Sequence, residues 1–248
     1  MMKQLVCYLT AALPCASFTE DLALAMSENG VDCIELGIPF SDPVADGEVI
    51  AKANALVLRK GFALGDVATI AQNIHTRMRL FVMSYANPLY HRNLDSVFAA
   101  FAQSGIRGLI IPDVPFEESA PYKQAATRHQ LSLVPLVAPT TPPARVQMLT
   151  ESVDSDAFIY LVAYAGITGA AKNEDLQPLI ASIRAHCAAP IFVGFGVNAH
   201  NARQKAEGVD GVIVGSAIVQ ILLQDISDSE KIRNICALCK TIKEAINS

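Results

Sequence analysis

Short apolar runs alternate with helix-patterned stretches along the whole chain, and this alternation limits the fold more than any other feature. The runs span residues 5–10, 32–36, 80–85, 108–111, 131–137, 157–162, 190–193 and 211–214. Most carry apolar residues at successive positions, the mark of a strand buried on both faces in a parallel sheet. The stretches between them read as helices. A capping box of Ser17 and Glu20 opens the first, and Gly30 closes it. Residues 48–77 hold two segments broken at Gly61, and a helix over 94–104 is capped by Asn93 and stopped by Gly105. Helices are further expected over 121–129, after Pro142-Pro143, over 176–186, around 199–206 and over 216–223. Eight strands, each followed by a helix, predict a (β/α)8 TIM barrel forming a single α/β domain over residues 1–248. A doubly wound open sheet is the competitor. The count of eight and a long final helix favour the barrel.

That final helix carries Cys236-Ala237-Leu238-Cys239, the spacing of a redox or metal motif. Ser227 and Glu230 form a capping box before it. Both cysteines lie on the apolar stripe with Ile232, Ile235, Ile242 and Ile246, so the pair is read as core packing, with no metal. The other cysteines, 7, 15, 33 and 187, form no dense framework, which fits reduced thiols and a cytoplasmic location. Residues 1–16 loosely resemble a secretion signal, but they hold a single Lys3 and a poorly placed Pro14, and 5–10 serves better as a first strand. No apolar run is long enough for a membrane span. The net charge of −5 comes with scattered Lys and Arg, so neither a membrane nor nucleic acid is expected as a partner.

The stretch Cys33 to Gly47, CIELGIPFSDPVADG, concentrates the chemistry. Glu35 stands near the carboxyl end of a buried run. Gly37, Pro39, Asp42, Pro43 and Gly47 turn the chain after it, leaving Asp42 and Asp46 on a loop. A solvated strand end is the plain reading of Glu35. Flanked by Ile34, Leu36 and Ile38, it is instead expected to be partly desolvated, with a raised pKa suited to proton transfer. Across the barrel mouth, Gly194-Phe195-Gly196 follows the seventh run, and Gly215-Ser216 follows the eighth at a helix start. Glycines at these two loops let the backbone approach an anion, the usual phosphate position in a barrel. Gly166, Thr168 and Gly169 add a third segment at the same rim. The five histidines fall in helices or loops and suggest neither a metal site nor a triad. Proton transfer on a phosphorylated organic substrate is the class these residues suit.

The ELGIPFSDPVADG segment resembles the active-site pattern of the tryptophan synthase alpha subunit family. Further matches follow in order: Tyr8-Leu9-Thr10, Ser84-Tyr85-Ala86-Asn87-Pro88, Pro112 to Glu118, Gly166 to Gly169, Gly194 to Gly196 and Gly215 to Val219. The resemblance implies a lyase that cleaves indole-3-glycerol phosphate to indole and glyceraldehyde 3-phosphate, the retro-aldol step of tryptophan biosynthesis, without a cofactor in this chain. It implies that Glu35 protonates indole C3 and takes the glycerol hydroxyl proton, while Asp46 accepts the indole N–H. Gly169, Gly196, Gly215 and Ser216 would hold the phosphate. Tyr8, Tyr85, Tyr160, Thr168 and Phe195 would line the substrate, with Tyr160 beside the carboxylate and Thr168 on a closing lid. The implied partner is a beta subunit carrying pyridoxal phosphate, in an alpha2beta2 heterotetramer, facing Asp42, Asn87 and Pro88.

The chain departs from the family pattern in places. It begins at the first strand, where a leading helix is usual. Ala12-Leu13 stands where Gly-Asp is common, Glu48 follows Asp46-Gly47 in place of proline, and Ala163 replaces a common serine. None of these removes either carboxylate or a phosphate glycine. Two other functions stay open at this point. One is another phosphate-binding barrel, such as a synthase, although Lys3, Lys52, Lys60, Lys123, Lys172 and Lys205 all fall outside the strands, where a catalytic lysine would be needed. The other is a weakly catalytic or non-catalytic subunit that activates a beta partner.

Overall fold

In the computed structural model, which describes residues 2–151, 153, 157–163 and 175–248, the apolar runs become strands of one parallel sheet. In chain order the elements are β1 (Gln4–Thr10), α1 (Ala16–Glu28), β2 (Cys33–Gly37), α2 (Glu48–Arg59), α3 (Leu64–Ile74), β3 (Arg79–Met83), α4 (Ala86–Tyr90), α5 (Leu94–Gln103) and β4 (Gly108–Ile110). After a 3-10 turn at Phe116–Glu118 come α6 (Ala120–Arg128), β5 (Ser132–Leu133), β6 (Leu136–Val137), α7 (Pro143–Thr150) and β7 (Ile159–Val162). The last are α8 (Gln177–His186), β8 (Ile191–Gly194), α9 (Ala202–Lys205), β9 (Gly211–Val214), α10 (Ser216–Leu222) and α11 (Asp228–Ile246).

The strand order is β5-β4-β3-β2-β1-β9-β8-β7-β6. Its two ends, β5 and β6, are halves of one run separated only by Val134-Pro135. The Val134 N–H donates to the Leu109 carbonyl on one side (2.8 Å), and the Pro135 carbonyl accepts from the Tyr160 N–H on the other (3.0 Å). The same run therefore begins and ends the sheet, which closes it into the expected barrel. The single fifth strand expected over 131–137 is corrected to two short ones, because Pro135 has no N–H to continue a ladder.

Other corrections are local. The Ser17–Glu20 capping box does not form. Cys15 takes the N-cap position, and Ser17 lies inside α1, its hydroxyl 3.4 Å from the Cys15 thiol. The chain leaves β1 through a tight bend with Ala12 at φ 61°, and this lets the helix start at Ala16. The helix expected around 199–206 shortens to α9, because Asn201 Oδ1 accepts the Asn198 N–H and Asn198 Oδ1 accepts the His200 N–H, holding a turn instead. The run read as 80–85 ends at Met83, and Tyr85 caps α4. The Asn93 cap and the Ser227–Glu230 capping box are present.

Large aromatics fill the barrel below its mouth. Phe158 meets Phe81 edge-on at 5.0 Å and stacks on Phe192 at 4.8 Å. Glycines make room for two of them. A Cβ at Gly108 would lie 2.9 Å from the Phe81 ring, and one at Gly211 would lie 3.0 Å from Phe192. Each would also stand 2.4 Å from a neighbouring strand's carbonyl oxygen. At the opposite end, Asp32 accepts the Leu5 N–H (2.7 Å) and pairs with Lys243 (2.5 Å), tying α11 across the start of β1 and β2. Cys236 and Cys239 are buried on α11, with Cys239 Sγ 3.9 Å from Cys7 Sγ, so the C-x-x-C pair belongs to the core. Phe158→Ala should lower unfolding stability by about 4 kcal/mol, read from urea denaturation. A loss below about 1 kcal/mol would mean that the aromatic layer is not the core of the barrel.

Candidate active site

Glu35 is the third of five residues in β2, deeper than the strand end expected for it, and it is 1% exposed. Register explains its position. Tyr8, Glu35 and Phe81 are paired across β1, β2 and β3, so all three project from the same face of the sheet into the barrel. Neither carboxyl oxygen has a hydrogen-bond partner. Desolvation alone pushes its pKa up from 4.5 to about 8, so it is mostly protonated at neutral pH.

Asp46 lies on the loop between β2 and α2, and burial raises its pKa to about 6. A hydrogen bond from the Tyr85 hydroxyl partly offsets that rise. The same hydroxyl accepts the Ala45 N–H at 3.0 Å, which fixes the loop to the end of β3. Near pH 7 the mouth thus holds one protonated carboxyl and one mainly ionised carboxylate, set apart by their surroundings.

Two tyrosines form the floor. Tyr8 reaches from β1 toward β2, and a Cβ on Gly37 would lie 2.2 Å from its hydroxyl. Its own Cβ stands 3.3 Å from where Gly215 would carry one. The ring therefore runs between the Gly215 loop and the Glu35 strand. Tyr160 takes the matching place over Gly194, its hydroxyl 2.4 Å from the position of a Cβ there, and its ring meets Phe195 edge-on at 5.7 Å. Burial holds both phenols well above the usual tyrosine pKa, with Glu35 and Asp46 adding to the effect in each case.

The loops after β8 and β9 lie on the other side of β1 from β2. Gly196, at φ +76°, is exposed and has no atom within 4 Å of where a Cβ would stand; Phe195 beside it is also at positive φ, 67°. Gly215 caps α10, and Ser216 is exposed at its first position. Thr168 and Gly169 lie outside the described residues. Asp42 and Asn87 are exposed and Pro88 is half-buried on the outer rim.

The sequence reads Gly37 as a turn former and Gly194 as part of a phosphate loop; they instead end β2 and β8 and are the sites of close approach for the two tyrosines. Thr10, a fully buried threonine whose hydroxyl has no well-aligned partner, and the exposed rim residues Val44 and Tyr90 have no role in the sequence reading. A cavity of about 740 Å³ between α6 and α7 is lined by Leu133, Leu136 and Arg145, and it includes neither carboxylate. Among the described residues, no group of three or more His, Cys, Asp and Glu side chains is arranged to hold a metal ion.

Comparison with known proteins agrees over the full length. The tryptophan synthase alpha chain family profile matches residues 1–247. A tryptophan synthase alpha chain from Wolinella succinogenes is 50% identical, covering 100% of this chain and 97% of the relative. One from Arabidopsis thaliana is 36% identical, covering 98% of this chain and 90% of the relative. Among solved structures, the tryptophan synthase subunit alpha from Campylobacter jejuni superposes with a TM-score of 0.85 at 33% identity, covering 97% of this chain and 95% of that one.

The raised Glu35 pKa has a thermodynamic consequence. The unfolded chain releases this proton near pH 4.5 and the folded one near pH 8, so folding retains a proton and stability falls as pH rises between those values. Glu35→Gln keeps the shape and removes the charge. It should leave thermal stability at pH 5 nearly unchanged and raise it at pH 9. Equal effects at both pH values would show that Glu35 is not buried in its neutral form.

Proposed function

The chain belongs to the tryptophan synthase alpha chain family, and on that premise we propose that Glu35 and Asp46 carry its lyase reaction. A member of this family cleaves indole-3-glycerol phosphate to indole and glyceraldehyde 3-phosphate. The observation that carries the assignment is Glu35 itself, a buried, unpartnered carboxyl that holds its proton at neutral pH.

The chemistry follows from the two environments. Glu35, neutral at the start, gives its proton to indole C3, which dearomatises the ring and places positive charge on the indole nitrogen. Asp46, ionised at the same pH, accepts the indole N–H and stabilises that charge. The Glu35 carboxylate then takes the proton of the glycerol hydroxyl as the carbon–carbon bond breaks and the aldehyde forms. One residue acts as acid and then as base, so the enzyme ends the cycle unchanged. Gly215 and Ser216, on the loop after β9 next to β1, and Gly196, on the loop after β8 beyond it, hold the phosphate together with Gly169, so the glycerol chain would cross β1. Tyr8, Tyr160 and Phe195 line the indole, and Tyr85 holds Asp46 in place.

No cofactor is assigned to this chain, because its own carboxyl groups supply the proton transfers. Pyridoxal phosphate is assigned to a beta subunit that receives the indole, in an alpha2beta2 assembly working in the cytoplasm. The free cysteines of the core suit that compartment, and no described helix is long and apolar enough to cross a membrane. The proposed docking surface is the rim of Asp42, Asn87 and Pro88. Val44 (81% exposed) and Tyr90 (71% exposed) add apolar surface on the same two segments.

Indole release from indole-3-glycerol phosphate, with and without a beta subunit, tests the reading. Glu35→Gln should reduce kcat by about 10³-fold or more, and Asp46→Asn by about 10²-fold. No indole from the wild type even with an active partner would overturn the lyase assignment. For the docking surface, Val44→Asp and Tyr90→Ser should each weaken beta-subunit binding at least tenfold while leaving the activity of the isolated chain unchanged. Unchanged affinity in both would move the partner to another face.

A further inference from the structure

Glu35 has two buried oxygens without a partner, and the mechanism requires it to become a carboxylate in that place. An ionised carboxylate in a dry site needs a hydrogen-bond donor or it becomes prohibitively costly. Among the described residues, the titratable groups within electrostatic reach of Glu35 are Tyr8 from β1, Tyr160 from β7, and the thiols of Cys33 on its own strand and Cys7 on β1. Asp46, on the loop after β2, is mainly ionised near pH 7 and is no donor. The two thiols are buried, with pKa values far above the usual range, and are poor donors. Tyr160 has its hydroxyl over Gly194 on β8. Of these described groups, Tyr8 is the one whose hydroxyl lies over the strand of Glu35, above Gly37, two residues farther toward the mouth on the same face.

Thr10 stands behind Tyr8. It is the next inward residue of β1, paired with Gly37, and is 1% exposed. Its hydroxyl is close enough to Tyr8 to lower the phenol's pKa, yet it has no well-aligned hydrogen-bond partner at rest. The row Thr10, Tyr8, Glu35 is therefore an incomplete chain of donors and acceptors ending at the reacting carboxyl.

We propose that the Tyr8 hydroxyl is a positioning group that donates a hydrogen bond to Glu35 once Glu35 has given its proton to indole C3, with the Thr10 hydroxyl donating to Tyr8 in turn. This deepens the lyase reading above and rests on it. The atoms balance without any further reactant. The Glu35 O–H bond breaks as the C3–H bond forms, and the carboxylate recovers a proton from the glycerol hydroxyl when the carbon–carbon bond breaks. Tyr8 and Thr10 keep their protons throughout and only reorient. Gly37 is required for this role, because any side chain there would displace the phenol.

Steady-state indole release across pH, with a beta subunit present, is the experiment. Tyr8→Phe removes one oxygen and keeps the ring. It should lower kcat about 10- to 100-fold, change KM less than threefold, and move the alkaline limb of kcat/KM to higher pH, since the ionised form of Glu35 loses its donor. Thr10→Val should shift both in the same direction by less, and Thr10→Ser should restore them. Wild-type kcat and an unmoved limb in Tyr8→Phe would overturn the proposal, as would a loss carried wholly in KM. These results differ from failure of the lyase reading, in which the wild type itself releases no indole.

Discussion

A carboxyl group held out of water without a partner is the constraint around which this barrel is built. Burying Glu35 is tolerable only while it is neutral, and its proton at pH 7 is what makes it an acid rather than a spectator. Aromatic rings exclude water beneath it and glycines admit those rings. Phe81 stands beside Glu35 in register, Phe158 and Phe192 continue that layer, and Gly108 and Gly211 leave the space they occupy. The apolar interior is thus part of the active site as well as the source of stability.

The second carboxylate depends on a different arrangement. Asp46 sits on a loop, where it could not hold a fixed position by strand pairing. Its position comes from Tyr85, whose hydroxyl bonds both the Ala45 backbone and the Asp46 side chain. One carboxyl is held by the sheet and kept dry, the other by a tyrosine and kept partly wet. That contrast separates their pKa values and gives each one role.

Much of this was legible in the residues. Apolar runs at regular spacing gave eight β/α units, and a glutamate inside such a run stood out against the usual chemistry of strands. The depth of Glu35 was not legible, because Gly37 was read as a turn former. It is instead the last residue of β2, and it is a glycine because the Tyr8 hydroxyl lies over it. Long-range contact between strands decided that point, and no local pattern carries it. The same limit applies to α1, where Ser17 has the side chain of a cap but the preceding bend starts the helix earlier, at Ala16. Asn198 and Asn201 likewise exchange side chain for backbone and shorten α9, a competition that composition alone leaves open.

The divided fifth run has a consequence for how the barrel comes together. Counting outward from β1, the sheet grows in two directions, through β2, β3 and β4 on one side and through β9, β8 and β7 on the other. The two growing edges meet only at residues 132–137, where each neighbour pairs with just two residues. The molecule is therefore a rolled ribbon with one short seam, and the proline at its centre keeps the halves from competing for the same edge. Each half of such a seam needs its own flanking edge, β4 for one and β7 for the other, before it has anything to join. On either side of it only two residues pair, as few as anywhere around the sheet.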